Sequence, residues 1–267
     1  MKKMDILTAV GLLGGILLVL WGMNSDAGIR IFFDPASIAI TVGGSLASVL
    51  ITVSMDDFKK MRKVLVQSFK ENKSSGIDTI FKFSILSKRA RRDGLLSLED
   101  EITKVEDNFL KKGLQMVVDG IEPEVIREIL ELEIGEMEDR HLAGASLFST
   151  WGLYAPAFGM IGTLVGLIQM LVSLEDASLI ATGMSKALIT TFYGSLLANL
   201  FCNPVAANLQ RKSSREAKSR EMMVEGILAI QSGVNPRIVE EKLITYLNPK
   251  ERLEYLNNTI EKSEGVA

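Results

Sequence analysis

Residues 143–174 read AGASLFSTWGLYAPAFGMIGTLVGLIQMLVSL, and this uncharged stretch decides the fold. As an α-helix it would be about 48 Å long, which exceeds the roughly 30 Å hydrocarbon core of a bilayer. A second apolar stretch of similar length, residues 178–209, follows after only Glu175-Asp176-Ala177. We therefore expect two long, adjacent membrane helices that project beyond the bilayer.

Two further apolar blocks lie near the N-terminus, Ile6 to Met23 and Ile38 to Val53. The first is long enough to cross a bilayer once. A cleaved signal peptide is the alternative, but Met23-Asn24-Ser25-Asp26 is a poor cleavage site and another apolar block follows. Asp34-Pro35 is typical of a helix start. The sequence thus favours a retained membrane hairpin over residues 1–53.

The other segments, residues 54–142 and 210–267, are charged. Apolar residues recur there at helical spacing, which is typical of amphipathic soluble helices. Lys and Arg crowd into both segments, whereas the two short loops between apolar blocks hold almost none. The positive-inside rule therefore places both segments and both chain termini in the cytoplasm.

The predicted fold class follows from this pattern. We expect an all-α integral membrane protein of the cytoplasmic (inner) membrane, with four transmembrane helices and a helical cytoplasmic domain. The predicted parts are a hairpin over 1–53, a cytoplasmic helical domain over 54–142, long third and fourth helices over 143–209, and cytoplasmic helices over 210–267.

Composition argues against several functions. A formal net charge of -3 does not suit a nucleic-acid partner. One cysteine, Cys202, and one histidine, His141, provide neither a disulfide framework nor a His/Cys metal site. The sequence contains no phosphate-binding loop, nucleophile motif or metal-ligand spacing. We expect neither an enzyme nor a resident cofactor or metal.

Ionisable groups are scarce at membrane depth. The predicted spans hold no Asp, Glu or His within the hydrocarbon, and the long side chain of Lys186 can reach the interface. Carriers of protons or sodium normally need a titratable or coordinating group in the membrane. If this protein belongs to an ion pathway, the carboxylate must come from another chain; the alternative is that no ion moves.

The third and fourth predicted helices carry hydroxyls and prolines instead. Thr163, Thr190 and Thr191 can bond to water or an ion, although most membrane hydroxyls bond to their own helix. Pro156 and Pro204 each remove a backbone hydrogen bond and predict a kink. Small residues four apart allow close helix packing, within one subunit or between subunits. These pairs include Gly11 with Gly15 and Gly162 with Gly166.

The sequence resembles the MotA/PomA family of bacterial flagellar stator subunits over nearly the whole chain. The most specific segments are APAFGMIGTLVGL at 155–167 and TTFYG at 190–194. Asn203-Pro204, GVNPR at 233–237 and ARRDGLLSLE at 90–99 also match the family.

This resemblance implies a homo-oligomer, thought to contain five copies around two copies of MotB. It implies that an aspartate in the single membrane span of MotB binds the transported ion, H+ or Na+, and that ion flow turns the ring against the rotor protein FliG. By position, Thr163, Thr190 and Thr191 would line the ion path, and Pro156 and Pro204 would act in hinge motion and coupling. Arg91 and Glu99 would contact the rotor, and Arg92 could share the role of Arg91.

Two other functions remain open at this point. Energy-coupling subunits of the ExbB/TolQ type, which serve outer-membrane processes, share the long third and fourth helices but resemble three-span proteins. The hairpin over 1–53 and the segment 90–99 favour the stator. A stand-alone transporter would need its own intramembrane binding group, which the sequence does not offer.

Overall fold

The computed structural model describes residues 6–24, 28–69, 76–172 and 174–264, and helices are the only regular structure in these ranges. The all-helical part of the predicted fold class is therefore confirmed.

The predicted N-terminal hairpin begins with α1 (Ile6–Met23), whose bounds agree with its apolar block. The second block forms one helical run in three parts: α2 (Pro35–Ile38), a π-helical turn (Ala39–Gly43) and α3 (Gly44–Thr52). The Asp34 carboxylate caps this run by accepting a hydrogen bond, 3.0 Å long, from the backbone N–H three residues later. This cap and the following proline explain where the helix starts.

The rest of the described chain is also helical. Its helices are α4 (Met55–Ser68), α5 (Gly76–Asp93), α6 (Glu99–Ile102), α7 (Asn108–Val118), α8 (Pro123–Val172), α9 (Ala177–Leu196), α10 (Asn203–Gln231), α11 (Pro236–Ile244) and α12 (Pro249–Glu264). Short 3-10 turns occur at Ile29–Phe32 and Leu95–Leu98.

The long third helix starts earlier than the sequence suggested. The apolar block begins at Ala143, whereas α8 begins at Pro123 and has 50 residues. Charged residues do not end a helix, because Glu, Lys and Arg are good helix formers. A proline at the first helical position does mark a start. The change from charged to apolar sequence therefore falls inside one continuous helix.

The two prolines inside the long helices have different local effects. α8 continues through Pro156 without interruption. Before Pro204, by contrast, a π-helical turn (Leu197–Cys202) separates α9 from α10. Because proline has no N–H, the usual bond to the carbonyl four residues earlier cannot form there, and π-turns are a common way to absorb such a defect.

Contacts divide the chain into two compact units. The first, here called the apolar unit, comprises Met1–Glu71 and Arg140–Lys212, and the second, the charged unit, comprises Asn72–Asp139 and Ser213–Ala267. α4, although charged, packs in the apolar unit. A Cβ added at Gly144 of α8 would lie 3.1 Å from Cγ2 of Val64 in α4.

Three helical runs are long and apolar enough to cross a membrane: Ile6–Met23, Ile29–Thr52 and part of α8. The predicted fourth span, residues 178–209, is not among them in the described part of the chain. Lys186 and several hydroxyl residues lower its hydropathy. The exact count of four therefore stays a prediction.

The charged unit has an aliphatic core. Its fully buried side chains include Ile80, Phe83, Leu114, Ile126, Leu130, Ile227 and Leu243. They come from α5, α7, α8, α10 and α11, each of which turns one apolar face inward, as amphipathic helices do. This core fixes the position of the segment after α5.

We expect Phe83→Ala to destabilise the charged unit by about 3–5 kcal/mol, because it leaves a cavity among fully buried neighbours. Ile85→Ala, on the same helix but 62% exposed, should change stability by less than about 0.5 kcal/mol. Amide hydrogen exchange of α5 in the full-length protein measures the difference. Equal protection in the two variants would contradict this core assignment.

Candidate ion-path and rotor-contact sites

α8 and α9 approach each other closely along a row of glycines. A Cβ added at Gly162 would lie 2.5 Å from Cγ2 of Thr190. One added at Gly166 would lie 2.6 Å from the carbonyl oxygen of Gly183 and 2.7 Å from the backbone N of Ala187. Any larger side chain would push the two backbones apart, so this contact depends on small residues.

The same row continues toward the two prolines. A Cβ on Gly194 would lie 3.1 Å from Cα of Pro156, and one on Gly152 would lie 3.2 Å from Cβ of Cys202. Gly152 lies about one turn before Pro156, and Cys202 lies two residues before Pro204. The two prolines are therefore on facing helices at neighbouring levels, and both are exposed.

The N-terminal glycines are placed differently. A Cβ on Gly15 would contact the side chain of Leu200, whereas one on Gly11 would meet no atom within 4 Å. Gly15 thus packs within the chain, as Gly162 and Gly166 do, and Gly11 faces open space.

Thr163 and Thr191 form a hydroxyl pair at the edge of the α8–α9 contact. Their Oγ1 atoms are 2.5 Å apart. Each also lies near the backbone carbonyl oxygen of Ala187, at 3.1 Å from Thr163 and 3.3 Å from Thr191. Thr191 is exposed and Thr163 is half-buried. The pair therefore presents oxygen atoms at the surface of the helix pair, where a partner, water or an ion can reach them.

Thr190 faces the other way. It is fully buried, and its hydroxyl lies 3.1 Å from the carbonyl oxygen of Lys186 and 3.0 Å from that of Ala187. Its hydroxyl is thus used within its own helix. The structure brings Thr163 and Thr191 together and separates Thr190 from them.

Buried hydroxyls of the second helical run support this arrangement, and the sequence analysis missed them. Ser37, Thr41 and Ser45 are all fully buried. Thr41 Oγ1 lies 3.4 Å from the carbonyl oxygen of Thr190, and Nε1 of Trp151 donates to Ser45 Oγ at 3.0 Å. Their four-residue spacing could have predicted this arrangement, because it places the three hydroxyls on one face of an otherwise apolar helix.

Tyr193 provides a second connection from α9. Its hydroxyl donates to the carbonyl oxygen of Phe32 and accepts from the backbone N–H of Asp34 at 3.3 Å. Both partners lie at the start of the second helical run. This bond therefore holds α9 against the N-terminal hairpin.

In and just after the end of α5, some charged side chains form ion pairs within the chain and others do not. Arg92 donates from Nε and Nη2 to the two carboxylate oxygens of Asp93, both at 2.9 Å. This contact raises the pKa of Arg92 and lowers the pKa of Asp93. Arg89 pairs with Glu101 and, at 3.4 Å, with Asp100. These charges are neutralised locally.

Arg91 and Glu99 are the charged side chains of this segment that form no ion pair in the described structure. Both are exposed, and within the described ranges neither forms an ion pair or a side-chain hydrogen bond. Between them the chain turns at Gly94, whose φ of +84° favours glycine, and the fully buried Leu98 anchors the turn. The structure thus distinguishes Arg91, whose charge is available to a partner, from Arg92.

We expect Gly166→Ala to destabilise the apolar unit by about 1–3 kcal/mol, because the new methyl group meets backbone atoms that cannot move aside. Gly135→Ala is the matched control, since it lies in the same helix with nothing within 4 Å and should be neutral or stabilising by up to about 1 kcal/mol. Thermal unfolding of the detergent-purified protein checks both. A G166A variant as stable as the parent protein would refute the close contact.

Comparisons with known proteins identify the family that the chain resembles. The family described as "MotA/TolQ/ExbB proton channel family" matches residues 101–222. The chain is 44% identical over 236 residues to Motility protein A of Borreliella burgdorferi, covering 88% of this chain and 90% of the relative. It is 37% identical to Chemotaxis protein PomA of Vibrio alginolyticus, covering 93% and 98%.

Solved structures show the same fold. A chain in the structure of the flagellar MotAB stator complex from Bacillus subtilis superposes with a TM-score of 0.88 and 36% identity. The match covers 94% of this chain and 99% of that chain.

Proposed function

The chain belongs to the MotA/TolQ/ExbB proton channel family, and on that premise we propose how its sites serve an ion-driven motor. It is a stator subunit of the bacterial flagellar motor and resides in a membrane. Its task is to couple the flow of an ion to the generation of torque. This role replaces the ExbB/TolQ-type alternative, because relatives named Motility protein A match across almost the entire chain.

The Thr163–Thr191 pair, in which Thr191 is exposed and Thr163 half-buried, is the observation that carries the ion-path proposal. Two neutral hydroxyls can bind water or help to coordinate a cation. They cannot provide the negative charge that balances a bound cation, nor can they take up and release a proton at physiological pH. An aspartate is therefore needed from a partner with one membrane span, a MotB-type subunit. The transported ion is H+ or Na+, since hydroxyl oxygens suit sodium ions and water-borne protons alike.

Assembly and topology complete the proposal. The chain forms a ring of five copies around two partner copies, crosses the cytoplasmic membrane four times, and has both termini in the cytoplasm. α1 supports this arrangement, because it has no buried residue within the chain and its apolar surface needs lipid or a neighbouring subunit. Pro156 and Pro204 act as hinges. They allow the long helices to change conformation as the ring turns relative to the partner subunit.

We expect Thr163→Val and Thr191→Val to lower ion flux through the reconstituted complex about tenfold each, the effect of removing one hydrogen bond to a charged group. Thr182→Val is the matched control, because Thr182 lies in α9, as Thr191 does. In the described structure its hydroxyl donates to the carbonyl oxygen of Ser178 at 2.9 Å and to no group of α8. Flux into liposomes that contain the complex with its partner is the measurement. If both variants carry the same flux as Thr182→Val, these hydroxyls do not contribute to the ion path.

The cytoplasmic charges that contact the rotor are, in this proposal, Arg91 and Glu99. Their side chains are exposed and without ion pairs in the described structure, so oppositely charged groups on the rotor protein FliG can attract them. Arg92 contributes less because Asp93 already holds its guanidinium at two points. Exposed charges act mainly by steering encounter.

Charge reversal at Arg91→Glu or Glu99→Arg should reduce the rate at which stators engage the rotor about tenfold, while membrane assembly stays normal. Arg92→Glu should have a smaller effect. Lys111→Glu is the control for a change in net charge, since Lys111 is exposed and lies outside the segment 90–99. Swimming speed and stepwise torque recovery of single motors measure the outcome. Unimpaired recovery in both reversal variants would refute the assignment.

A further inference from the structure

A stripe of exposed polar side chains continues from Thr191 along α9 and into α10. Its further members are Ser195, Asn199 and Asn203, spaced four residues apart, and all of them are exposed. The residue before each of them, Gly194, Ala198 and Cys202, is buried. The stripe therefore follows the edge of the α8–α9 contact, and it starts at the hydroxyl pair described above.

The π-helical turn keeps this stripe straight. In a regular α-helix, residues four apart advance by about 400°, so the side chains drift by about 40° at each step. Three such steps would carry Asn203 to another face. The wider turn at Leu197–Cys202, with its i→i+5 bonds, turns less per residue and offsets the drift. The π-helical turn that precedes Pro204 thus has a consequence for the polar surface.

The polar groups of the stripe retain unused hydrogen-bonding capacity. Asn199 Nδ2 donates to the carbonyl oxygen of Ser195 at 3.0 Å. In the described structure, however, the Ser195 hydroxyl, the Asn199 carbonyl oxygen and the Asn203 amide have no hydrogen-bond partner, although the Asn203 side chain packs against Gly152. This differs from Thr182 and Thr190, whose hydroxyls bond to their own helix. Burying such groups in hydrocarbon without a partner costs several kcal/mol per group.

Water or an ion is the occupant that fits these groups best. Exposed apolar side chains such as Leu153, 70% exposed, suit lipid, whereas three unsatisfied neutral polar groups in a row do not. Hydroxyl and amide oxygens attract a cation or order water without trapping the cation electrostatically. The stripe also points toward the strongly basic part of α10, which the proposed topology places in the cytoplasm.

We propose that Ser195, Asn199 and Asn203 form a hydrated track that leads the monovalent cation from Thr163–Thr191 to the cytoplasm. This proposal rests on the proposed function of the hydroxyl pair and extends it by about 18 Å of helix. No bond is made or broken along the track; the ion moves with its water.

Thiol accessibility tests the track in the complex with its partner. In a Cys202→Ala background, Ser195→Cys, Asn199→Cys and Asn203→Cys should each react with a cationic methanethiosulfonate reagent at least about tenfold faster than Leu153→Cys, because a charged reagent does not enter hydrocarbon. Leu153 is the matched control, since it follows Gly152, which packs at the level of Cys202. Modification should also block ion flux.

Two results would overturn the track. Cysteines that react no faster than Leu153→Cys would show that the stripe is a dry contact with another chain. Cysteines that react while flux continues unchanged would show that the surface is wet but off the path.

A substitution pair that needs no labelling provides a second measurement. Asn199→Leu should lower flux about tenfold relative to Asn199→Gln, which retains the amide; equal flux would count against the track. An unmodified complex that carries no ion at all would instead refute the proposed function, so the two failures are distinguishable.

Discussion

The close approach of α8 and α9 is the constraint on which the rest of the apolar unit depends. In a membrane, helices gain little from hydrophobic contact with each other, so association relies on packing and interhelical hydrogen bonds. Gly159, Gly162 and Gly166 allow backbone atoms of the two helices to approach closely. Only at this separation can the hydroxyls of Thr163 and Thr191 meet. The glycines therefore determine the chemistry of the site although they take no part in it.

The polar groups of the apolar unit divide into two sets by how they are satisfied. Thr41, Ser45 and Thr190 are buried and hydrogen-bonded. Thr41 and Ser45 bond to groups of α9 and α8, so they fix the second helical run against these two helices. Thr191 and the residues that follow it along the stripe are exposed. A membrane protein retains exposed polar groups at such depth only where protein or water satisfies them. Rigid support and an open polar surface thus lie on opposite sides of the same helix.

Local signals in the sequence predicted the fold well. Asp34-Pro35 marks a helix start because a cap and a proline act within one turn, and the bounds of α1 follow from uninterrupted apolar residues. α8 begins before the apolar block at Ala143, because charged residues do not stop a helix. The site was harder to predict: adjacent threonines look equivalent in a sequence, and only the position of α8 separates Thr190 from Thr191. The choice between Arg91 and Arg92 likewise depends on which one Asp93 binds.

The proposed location of the ion-binding carboxylate on a partner subunit agrees with the physics of the site. A carboxylate carried permanently on α8 or α9 would stay exposed at membrane depth in every state of the chain, at a cost of several kcal/mol whenever no cation was near. In the proposed ion path, neutral hydroxyls and amides avoid this cost, and their oxygen atoms can still stabilise a passing cation. In the proposed complex the charge lies on a separate subunit, so the charge and the hydroxyl-lined surface can move relative to each other. A motor needs such relative motion, whereas a simple channel does not.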